Sequence, residues 1–474
     1  MSTDIVQLGE LISKSIATIV KTCEDNKITI PSLTDIDAPA SEELSKFPAA
    51  VDAVNIITAA AAQLVTTISP RQHSLMTLAN AHFRTAALRV AIACNITEIL
   101  REAGSQGLHI NDISAKANVD PMKLGRLLRI LTLFHVYQEV TPDVFANTRI
   151  SLGLDTGKSV AELQADPTRK HADTAGNVAM IEIRLDDGAK AANVFLEHMQ
   201  DPKSAFSYDP ALSPCSRAFG IEKTLWEIYR MPEYTSNSTR LNVAMYSLSK
   251  HNFLKPLFSV LDWSKLPQDT LVVDVGGGLG SISLALARAF PHLKLVVQDD
   301  AAVLADAPKL WSKEFPEAIE NKRVEFQPHD FFEPQPIKNA NVFLLKHILH
   351  DWADAYAVKI LKQLRAASTP ETKLVIGDLI ILPSCHDPNA DGDEAIPGAA
   401  IKEAPAPLLP NFGAANESPY SLDLNMFGLL NALERTLDHI KRLMKEGGWR
   451  IVSISRQNPP SIFWEGILAV PADD

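Results

Sequence analysis

One short stretch, a run of β-branched residues that ends in glycines, most constrains the fold. Leu271–Gly280 reads Leu-Val-Val-Asp-Val-Gly-Gly-Gly-Leu-Gly, and the helix-like stretch Ser281–Phe290 follows it. The glycines Gly276, Gly278 and Gly280 let the backbone turn sharply at positive φ, with no Cβ to keep a ligand away from the chain. The sequence therefore predicts a strand, a tight turn and a helix that suit a cofactor lying against bare backbone.

The spacing of these glycines distinguishes two kinds of cofactor turn. In the dinucleotide fingerprint Gly-x-Gly-x-x-Gly, the third glycine permits close helix packing and the helix N-terminus receives a pyrophosphate. Here that third position is Ser281, and the glycines fall as Gly-x-Gly-x-Gly after Asp274. This spacing resembles motif I of the S-adenosylmethionine-dependent methyltransferases, whose cofactor has no pyrophosphate.

A second strand and a carboxylate follow the glycine turn. Leu293–Gln298 reads as a buried strand, and Asp299 stands at its end about twenty residues beyond the glycines, where an acid that binds a ribose is expected. Its neighbour Asp300 could compete for that role, and one of the two could cap the helix that starts near Ala301. We expect both roles to be filled, with Asp299 binding the ribose.

Strands and helices then alternate regularly. The predicted elements are strand 293–298, helix 302–313, strands 323–328 and 341–346, helix 353–367 and strand 373–380. This alternation is typical of an α/β fold with a Rossmann-like, doubly wound parallel sheet, whose ligands lie outside the carboxyl ends of the strands. Asp299, Asp330, His350 and Asp378 fall at or just past predicted strand ends, so we expect them to converge on one crevice.

The length, net charge and cysteine content of the chain disfavour several classes of partner and site. A length of 474 residues predicts two domains, and a formal net charge of −12 disfavours nucleic acid and anionic membranes as general partners. The four cysteines include no Cys-x-x-Cys pair, which indicates neither a zinc site nor a disulfide framework. Asp4 and Glu10 do not suit a signal peptide, and the apolar stretch Ile56–Ile68 is too short to span a bilayer. We therefore expect a cytoplasmic protein.

The N-terminal part reads as mostly helical. Apolar residues recur at helical spacing in 5–19 and 51–68, and these helices could pack against their own chain or against a second subunit. Two short helices, Asn111–Ala117 and Pro121–Phe134, and the following Tyr137–Val140 resemble a winged helix-turn-helix. This motif raises DNA binding as an alternative, although the acidic totals oppose it and a helix-turn-helix is also a plain packing unit.

These patterns predict two domains, 1–215 and 216–474. The first would be helical, with the winged-helix-like segment, a role in dimerisation and a lid over the substrate, and the second would carry the sheet. The segment 384–420 is rich in Pro, Ala, Asp and Glu and reads as a flexible surface insertion. A helical stretch over 422–444 and closing strands over 450–455 and 462–470 are predicted to follow.

Two further motifs carry a resemblance to a known family. Leu345–Trp352 reads Leu-Lys-His-Ile-Leu-His-Asp-Trp, and Leu433–Thr436 reads Leu-Glu-Arg-Thr. With the glycine turn, they resemble the plant and fungal small-molecule O-methyltransferases of the caffeic acid O-methyltransferase type. The similarity covers most of the chain, and in that family the winged-helix region belongs to a dimerisation domain. The resemblance therefore implies a homodimer that uses S-adenosylmethionine.

The resemblance also implies the catalytic residues. It places the general base at His350, and two flanking acids at Asp378, where the plant enzymes usually have Glu, and at Glu434. A phenol has a pKa of about 10, so a histidine within hydrogen-bond reach can take its proton while a carboxylate fixes the histidine tautomer. By residue type alone, His350 or the nearby His347 could be structural, Asp378 a turn residue and Glu434 a solvated charge.

By the same resemblance, five residues contact the cofactor. They are Gly276 for the methionine portion, Asp299 for the ribose, Asp330 and Phe331 for the adenine, and Lys346 for the polar end. Asp330 could equally be a loop cap, and Lys346 a solvated charge. No motif resembles the metal-binding acids of the magnesium-dependent catechol methyltransferases, so we expect no metal site.

The leading hypothesis is a homodimeric, S-adenosylmethionine-dependent O-methyltransferase that acts on a hydroxyl of a small aromatic compound. One alternative is a winged-helix DNA-binding regulator that has kept a methyltransferase-like domain as a sensor. The other is a nucleotide-dependent dehydrogenase built on the same sheet topology.

Overall fold

The computed structural model describes residues 3–36, 41–250, 255–387, 396–456 and 464–473. The chain divides into two compact units, a helical unit and a sheet unit. The helical unit comprises Met1–Val194, Ala218–Ile221 and Leu225–Leu248, and the sheet unit comprises Phe195–Arg217, Glu222–Thr224 and Ser249–Asp474.

The two units interleave along the chain, whereas the sequence predicted one boundary between 215 and 216. Hydrogen bonds within each unit account for the difference. The side-chain amide of Asn431 donates to the carbonyl oxygens of Ser207 and Asp209, at 2.9 and 3.0 Å, which ties 195–217 to the sheet unit. Likewise, Arg240 donates to the buried carboxylate of Asp187 at 2.8 Å, within the helical unit.

The chain up to residue 260 is mostly helical. Its helices are α1 (Thr3–Asn26), α2 (Pro48–Ile68), α3 (Arg71–Ala79), α4 (Ala81–Ala93), α5 (Ile96–Ala103), α6 (Ile110–Ala117), α7 (Pro121–Thr132), α8 (Arg149–Leu152), α9 (Val160–Ala165), α10 (Asn177–Ile183), α11 (Ala189–Ala192), α12 (Phe195–Gln200), α13 (Pro214–Phe219), α14 (Leu225–Tyr229), α15 (Thr235–Lys250) and α16 (Lys255–Val260). Strands β1 (Leu108–His109), β2 (Tyr137–Thr141) and β3 (Val144–Asn147) form an antiparallel sheet in the order β1-β3-β2. With α6 and α7, this sheet makes the winged-helix-like segment predicted from the sequence.

Helices α1 and α2 pack against each other and leave much apolar surface exposed. Val6, Val65 and Ile68 are 54%, 59% and 61% exposed. The predicted apolar stretch from Ile56 belongs to a longer helix of 21 residues that begins at Pro48. By length and composition alone, α2 is the one helix within the described ranges that could cross a membrane, a test that core helices of soluble proteins also pass.

The rest of the chain forms a seven-stranded sheet with helices on both faces. The strands are β4 (Leu271–Val275), β5 (Lys294–Asp299), β6 (Val324–Pro328), β7 (Val342–Lys346), β8 (Lys373–Asp378), β11 (Trp449–Ser455) and β12 (Glu465–Pro471), and the separate pair β9 (Ile380–Ile381) and β10 (Arg435–Thr436) forms a parallel ribbon. The helices are α17 (Ser281–Ala289), α18 (Ala301–Leu304), α19 (Ala307–Glu314), α20 (Pro316–Glu320), α21 (Asp354–Ala367), α22 (Glu417–Leu430) and α23 (Leu437–Glu446).

The strand order of the large sheet is β11-β12-β8-β7-β4-β5-β6. Strand β12 runs antiparallel to both of its neighbours, and the other adjacent pairs are parallel. Because side chains alternate along a strand, Val273 and Leu345 join the core beneath α21 and α23, whereas Val272 and Leu344 join the core beneath α16 and α17. Both faces are buried, which confirms the predicted Rossmann-like fold.

The predicted helical stretch 422–444 is two helices rather than one. Helix α22 ends at Leu430 because Asn431 takes the left-handed conformation, with a φ of 56°. Strand β10 follows, and α23 begins only at Leu437. As a result, Glu434 lies in the connection between two helices and not on a helix surface.

Part of the predicted insertion 384–420 is packed against the sheet unit. The carbonyl oxygen of Pro397 accepts a hydrogen bond from the N–H of Ile454 at 2.8 Å, Ala399 is buried in the core, and α22 begins at Glu417. Residues 388–395 of this insertion lie outside the described residues, so its flexibility stays a prediction. Residues 462 and 463 of the last predicted strand also lie outside them, and β12 begins at Glu465.

Candidate active site

The glycine turn between β4 and α17 lies against two other parts of the crevice. Gly276 has a φ of 70°, and a Cβ on it would come within 2.4 Å of Cδ1 of Ile348 and 3.5 Å of a ring carbon of Phe331. A Cβ on Gly280 would lie 2.9 Å from Nε1 of Trp311. Glycine is therefore needed at both positions. At Gly276 the turn lies against Ile348, in the segment that carries His350, and against Phe331, a predicted adenine contact.

Asp299 closes this turn from the end of β5. Its Oδ2 accepts a hydrogen bond from the N–H of Gly278 at 2.8 Å, and its Oδ1 accepts one from the N–H of Asp300 at 2.7 Å. Asp300 in turn caps α18, because its Oδ1 accepts from the N–H of Ala302 at 2.9 Å. The helix cap thus falls to Asp300, which leaves Asp299 at the glycine turn where a ribose acid was predicted.

Asp330 and Phe331 lie in the loop that follows β6. Asp330 is exposed, and its Oδ1 accepts a hydrogen bond from the N–H of Phe332 at 2.9 Å. The rings of Phe331 and Phe332 pack edge to face, and both meet Trp352 with ring centroids 5.9 and 4.7 Å away. Trp352 therefore links the predicted adenine side of the crevice to the chain that carries His350.

Lys346 ends β7 inside the same crevice. Its Nζ lies 3.2 Å from Nδ1 of His347 and 5.9 Å from the centre of the Trp464 ring. Burial lowers the pKa of Lys346 to about 8, although the charges of Asp274 and Asp378 oppose that effect. Lys346 is therefore not the solvated charge that residue type alone allowed.

His350 lies in a 3-10 turn, Leu349–Asp351, that follows β7. The residue is 7% exposed, and its Nδ1 lies 2.6 Å from Oε1 of Glu434. Its Nε2 lies 3.3 Å from Oδ1 of Asp351, and the ring of His347 stacks on it with centroids 5.0 Å apart. The imidazole is thus held at Nδ1 by one carboxylate, while Nε2 faces another that the sequence analysis did not single out.

The charges around His350 favour its protonated form. Burial by itself lowers the pKa of the ring, but the carboxylates of Glu434, Asp351 and Asp378 outweigh burial and raise it to about 10. Burial raises the pKa of Asp351 to about 6, against the effect of the His350 charge. The ring therefore binds a proton firmly whenever its carboxylate neighbours are ionised.

Asp378 comes near the ring without hydrogen bonding to it. Burial raises the pKa of Asp378 to about 7, and its Oδ1 has no hydrogen-bond partner among the described residues. Asp378, His350 and Glu434 line one small cavity with room for about one water molecule, which is too small for an aromatic ligand. Whether Asp378 assists His350 stays a prediction, since the shorter aspartate leaves space where the plant enzymes usually have glutamate.

Glu434 approaches His350 from the connection between α22 and β10. Its N–H donates to Oδ1 of Asp423 at 2.8 Å, and its own side chain is fully buried. The next residue, Arg435, is also buried and hydrogen bonds to the chain on both sides of His350. The sequence analysis named Arg435 only as part of a motif. Its contacts join segments that are distant in the chain, so no local pattern predicted them.

The predicted binding residues of the sheet unit are gathered at the carboxyl edge of the sheet. Bare backbone at Gly276, a carboxylate at Asp299, an aromatic ring at Phe331 and a cation at Lys346 suit a nucleoside that carries a charged tail. Across the described residues, no group of three or more His, Cys, Asp and Glu side chains is placed to hold a metal ion.

Two family models match the chain. An O-methyltransferase domain matches residues 200–393, which include the glycine turn, His350 and Asp378. An O-methyltransferase dimerisation domain matches residues 76–154, which include the winged-helix-like segment.

Fungal O-methyltransferases are similar over nearly the whole chain. The 4-O-methyltransferase 1 of Phanerochaete chrysosporium is 41% identical over 473 residues, which cover 100% of both chains. An O-methyltransferase of Armillaria gallica is 35% identical and covers 96% of each chain. The 3-O-methyltransferase 2 of Phanerochaete chrysosporium is 30% identical, with 95% of this chain and 94% of that chain covered.

Several solved structures share the fold. The mitomycin 7-O-methyltransferase MmcR has a TM-score of 0.63 at 20% identity and covers 85% of this chain and 98% of its own. A variant of LepI, solved with S-adenosylhomocysteine and a substrate analogue, has a TM-score of 0.65 at 16% identity and covers 97% and 100%. A structure described as a pericyclic reaction enzyme has a TM-score of 0.64 at 17% identity and covers 89% and 94%. At these identities the likeness concerns the fold alone.

Proposed function

Because the chain belongs to the S-adenosylmethionine-dependent O-methyltransferases, we propose that it methylates a hydroxyl of a small aromatic acceptor, with His350 as the general base. The observation that carries this proposal is the 2.6 Å contact between Nδ1 of His350 and Oε1 of Glu434, at the crevice that also holds the glycine turn. Since the fold also occurs in a pericyclic reaction enzyme, the fold alone would not suffice.

The geometry of His350 suits the removal of a phenolic proton. Glu434 holds Nδ1–H, so that Nε2 of the neutral ring carries the lone pair. A hydroxyl placed at Nε2 would give its proton to that nitrogen, and its oxygen would take the methyl group of a bound S-adenosylmethionine, whose sulfur would leave as the neutral thioether. Glu434 then stabilises the imidazolium that forms. Positioning the oxygen in line with the methyl group supplies much of the remaining acceleration.

The ring must be neutral before it can act. Glu434, Asp351 and Asp378 raise the pKa of His350 to about 10 against the effect of burial, so much of the free enzyme carries an imidazolium near neutral pH. An acceptor hydroxyl that takes the place of the Asp351 carboxylate at Nε2 would remove one source of that rise. The rate of methyl transfer then depends on the fraction of His350 that has lost its proton.

S-adenosylmethionine, when bound, supplies a methyl group on a sulfonium that is electrophilic enough for a phenolic oxygen to attack. The residues of the crevice fit such a cofactor. We propose that Gly276 receives its methionine portion, Asp299 its ribose, Asp330 and Phe331 its adenine, and Lys346 its carboxylate end. The support is chemical, because Gly276 offers bare backbone and each of the other residues offers the hydrogen bond, ring or charge that its part of the cofactor requires.

The aromatic nature of the acceptor is supported by rings on and beside a helix that contacts the turn of His350. Helix α22 packs against the 3-10 turn that carries His350. On α22, the half-buried ring of Phe427 lies 4.8 Å from the ring of Phe195 and 5.4 Å from that of His198, measured between centroids. All of these residues belong to the sheet unit. Such a cluster favours a flat, apolar acceptor.

We propose that the protein works as a homodimer. The matched dimerisation domain spans residues 76–154, and α1 and α2 precede it with exposed apolar side chains such as Val65 and Ile68. Leu78, in the matched domain, is 73% exposed, so the apolar surface continues into it. A second copy would cover this surface, and light scattering after gel filtration tests it through the mass in solution.

The DNA-binding alternative finds no support in the winged-helix-like segment. Arg129 of α7, one of the cations that could reach a phosphate, donates to Oε1 of Glu139 at 3.1 Å and also pairs with Asp143. Its charge is therefore already neutralised by two carboxylates of the same segment.

The decisive experiment offers the protein methyl-labelled S-adenosylmethionine with a panel of phenols, flavonoids and aromatic polyketides. We expect label in at least one acceptor and no dependence on magnesium. Separate titrations with S-adenosylhomocysteine and NAD should give binding of the first only. Binding of NAD without binding of S-adenosylhomocysteine would overturn the proposal in favour of a dehydrogenase.

A further inference from the structure

The buried guanidinium of Arg435 lies against the turn that carries His350. Its Nη1 donates to the carbonyl oxygen of Leu349 at 2.7 Å, and its Nη2 donates to that of Trp352 at 2.6 Å. Its Nε donates to Oδ1 of Asp354 at 3.0 Å. The Arg435 side chain is 3% exposed, so these bonds are shielded from water. They bracket His350, because one acceptor precedes it in the chain and two follow it.

The turn itself offers few bonds that would hold it in place. Leu349–Asp351 is a single 3-10 turn, which has poorer hydrogen-bond geometry than an α-helix. Helix α21 begins just after it, and its N-cap residue, Ala353, has no polar side chain to cap the helix. The position of the turn therefore depends on bonds from other parts of the chain, and Arg435 supplies one to Leu349 within the turn and two to Trp352 and Asp354 just after it.

Arg435 is tied directly to the partner of the His350 ring. Glu434 precedes it, and the N–H of Glu434 is held by Asp423. Arg435 itself pairs with Ile380 in the ribbon of β9 and β10. One short segment therefore presents a carboxylate to Nδ1 of the ring and a guanidinium to the backbone that carries the ring.

We propose that Arg435 is a positioning residue, which fixes the turn of His350 relative to Glu434 so that the imidazole keeps its tautomer and its aim at the acceptor hydroxyl. This inference rests on the proposed role of His350 as the base. Arg435 does not touch the reacting atoms and acts through the backbone of Leu349 and Trp352 and the side chain of Asp354. A lysine cannot replace it, because one ammonium lacks the planar fork that reaches three separate acceptors.

The test compares Arg435→Lys with Arg365→Lys. Arg365 is a matched control, since its guanidinium also donates to two carbonyl oxygens, of Gly448 at 3.1 Å and Ala472 at 3.2 Å, but these lie just before β11 and in the C-terminal segment. We expect Arg435→Lys to lower kcat by about 10- to 100-fold, with acceptor KM and S-adenosylhomocysteine affinity within about threefold. Arg365→Lys should leave kcat within about twofold, since these two carbonyl oxygens lie outside the turn.

A second readout separates positioning from a general loss of stability. The short contact between His350 and Glu434 should give a downfield imidazole N–H proton resonance, assigned by its loss in His350→Gln. We expect Arg435→Lys to shift or broaden this resonance and Arg365→Lys to leave it unchanged. Unaltered kcat together with an unaltered resonance in Arg435→Lys would overturn the inference. Full turnover in His350→Gln would instead overturn the proposed base, so the two failures are distinguishable.

A milder pair of variants covers the case in which Arg435→Lys does not fold. Asp354→Ala removes one of the three acceptors of Arg435, and half of that side chain is exposed, so folding should survive. Asp354 also accepts from Nε2 of His439 at 2.6 Å, which makes His439→Gln the control for that second bond. We expect kcat to fall about three- to tenfold in Asp354→Ala and to stay near the unmodified value in His439→Gln. Equal kcat in both variants would overturn the inference.

Discussion

Nδ1 of His350 lies 2.6 Å from Oε1 of Glu434, although 84 positions separate the two residues in the chain. The contact is buried on both sides, so water does not compete for it. Because Nδ1 is occupied, we expect an acceptor to meet the ring at Nε2, which faces Oδ1 of Asp351 at 3.3 Å. The remaining expectations for catalysis follow from this arrangement.

Replacement of the ring should abolish the proton transfer while binding persists. We expect His350→Gln to lower kcat by roughly 10²- to 10⁴-fold, the usual contribution of a general base. The affinity for S-adenosylhomocysteine, measured by calorimetry, should stay the same because His350 is not among the proposed cofactor contacts. His292→Gln is the control, since the His292 ring bonds to the carbonyl oxygen of Trp263, at 3.1 Å, and to none of the proposed site residues within the described part of the chain. Turnover within a fewfold of normal in His350→Gln would mean that another group is the base.

The pH dependence should reveal the carboxylate at Nε2. In the proposed mechanism the neutral ring is the active form, and its pKa is raised to about 10, so we expect kcat/KM to increase with pH up to that region. Asp351→Asn removes a negative charge that raises the pKa of His350, so the increase should move to lower pH. The profile is measured with two acceptors of different phenolic pKa, since only a limb common to both belongs to the enzyme. A limb whose apparent pKa changes with the acceptor but stays the same in Asp351→Asn would contradict this account.

Two glycines of the turn should respond differently to the same substitution. Gly276 and Gly278 both have positive φ, of 70° and 59°, so alanine at either costs about 1–2 kcal/mol of stability. A Cβ at Gly278 meets nothing within 4 Å, whereas one at Gly276 would collide with Ile348, two residues before His350. We therefore expect Gly276→Ala to weaken S-adenosylhomocysteine binding and lower kcat as well. Equal effects of the two variants, by calorimetry and turnover, would count against a crevice shared by the turn and the base.

A buried acid beside the site should make stability depend on pH. Glu465 lies opposite Asp378 in the ladder of β12 and β8, and its Oε2 accepts from the N–H of Ile380 at 2.9 Å. Burial raises its pKa from 4.5 to about 7, although Arg456 and the Ile380 N–H oppose that effect. The native carboxyl thus holds its proton more tightly than the unfolded one. Its contribution to stability is full below about pH 4.5 and is lost as the pH rises through 7.

Glu465→Gln should remove this contribution. Urea unfolding at pH 5 and pH 8 should show a smaller fall in the free energy of unfolding for the variant than for the unmodified protein. The displacement of the pKa from 4.5 to about 7 sets the difference at no more than about 3 kcal/mol. An identical fall in both proteins would mean that Glu465 is ionised in the folded state across this range.

The sheet and the cofactor turn were predictable because their signals are local. The glycines after β4 and the alternation of strands with helices each occupy a short window, and both faces of the sheet are buried, which gives continuous apolar runs. The break at Asn431 was missed because apolar residues continue directly on both sides of it, in Leu429–Leu430 and Ala432–Leu433. Asn431 takes a left-handed backbone conformation. Its side chain bonds to Ser207 and Asp209, which lie more than two hundred positions earlier in the chain.

The site was predicted as a set of residues and not as a network. His350, Asp378 and Glu434 were placed by motif, and the structure gathers them around one small cavity. Their contacts could not be read from the chain, because a motif gives no distances. The bonds of Arg435 to Leu349 and Trp352 span 86 and 83 positions, and their acceptors are main-chain oxygens that every residue possesses.

The pairing of Ile380 with Arg435 closes a large loop at its neck. Glu465 anchors one side of this neck through the Ile380 N–H, and Asp423 anchors the other through the N–H of Glu434. The relative placement of His350 and Glu434 is therefore set at this neck and not within the loop, although the loop itself returns to the sheet unit at Pro397 and Ala399. A change inside the loop that spares those two residues should leave the geometry at the neck as it is.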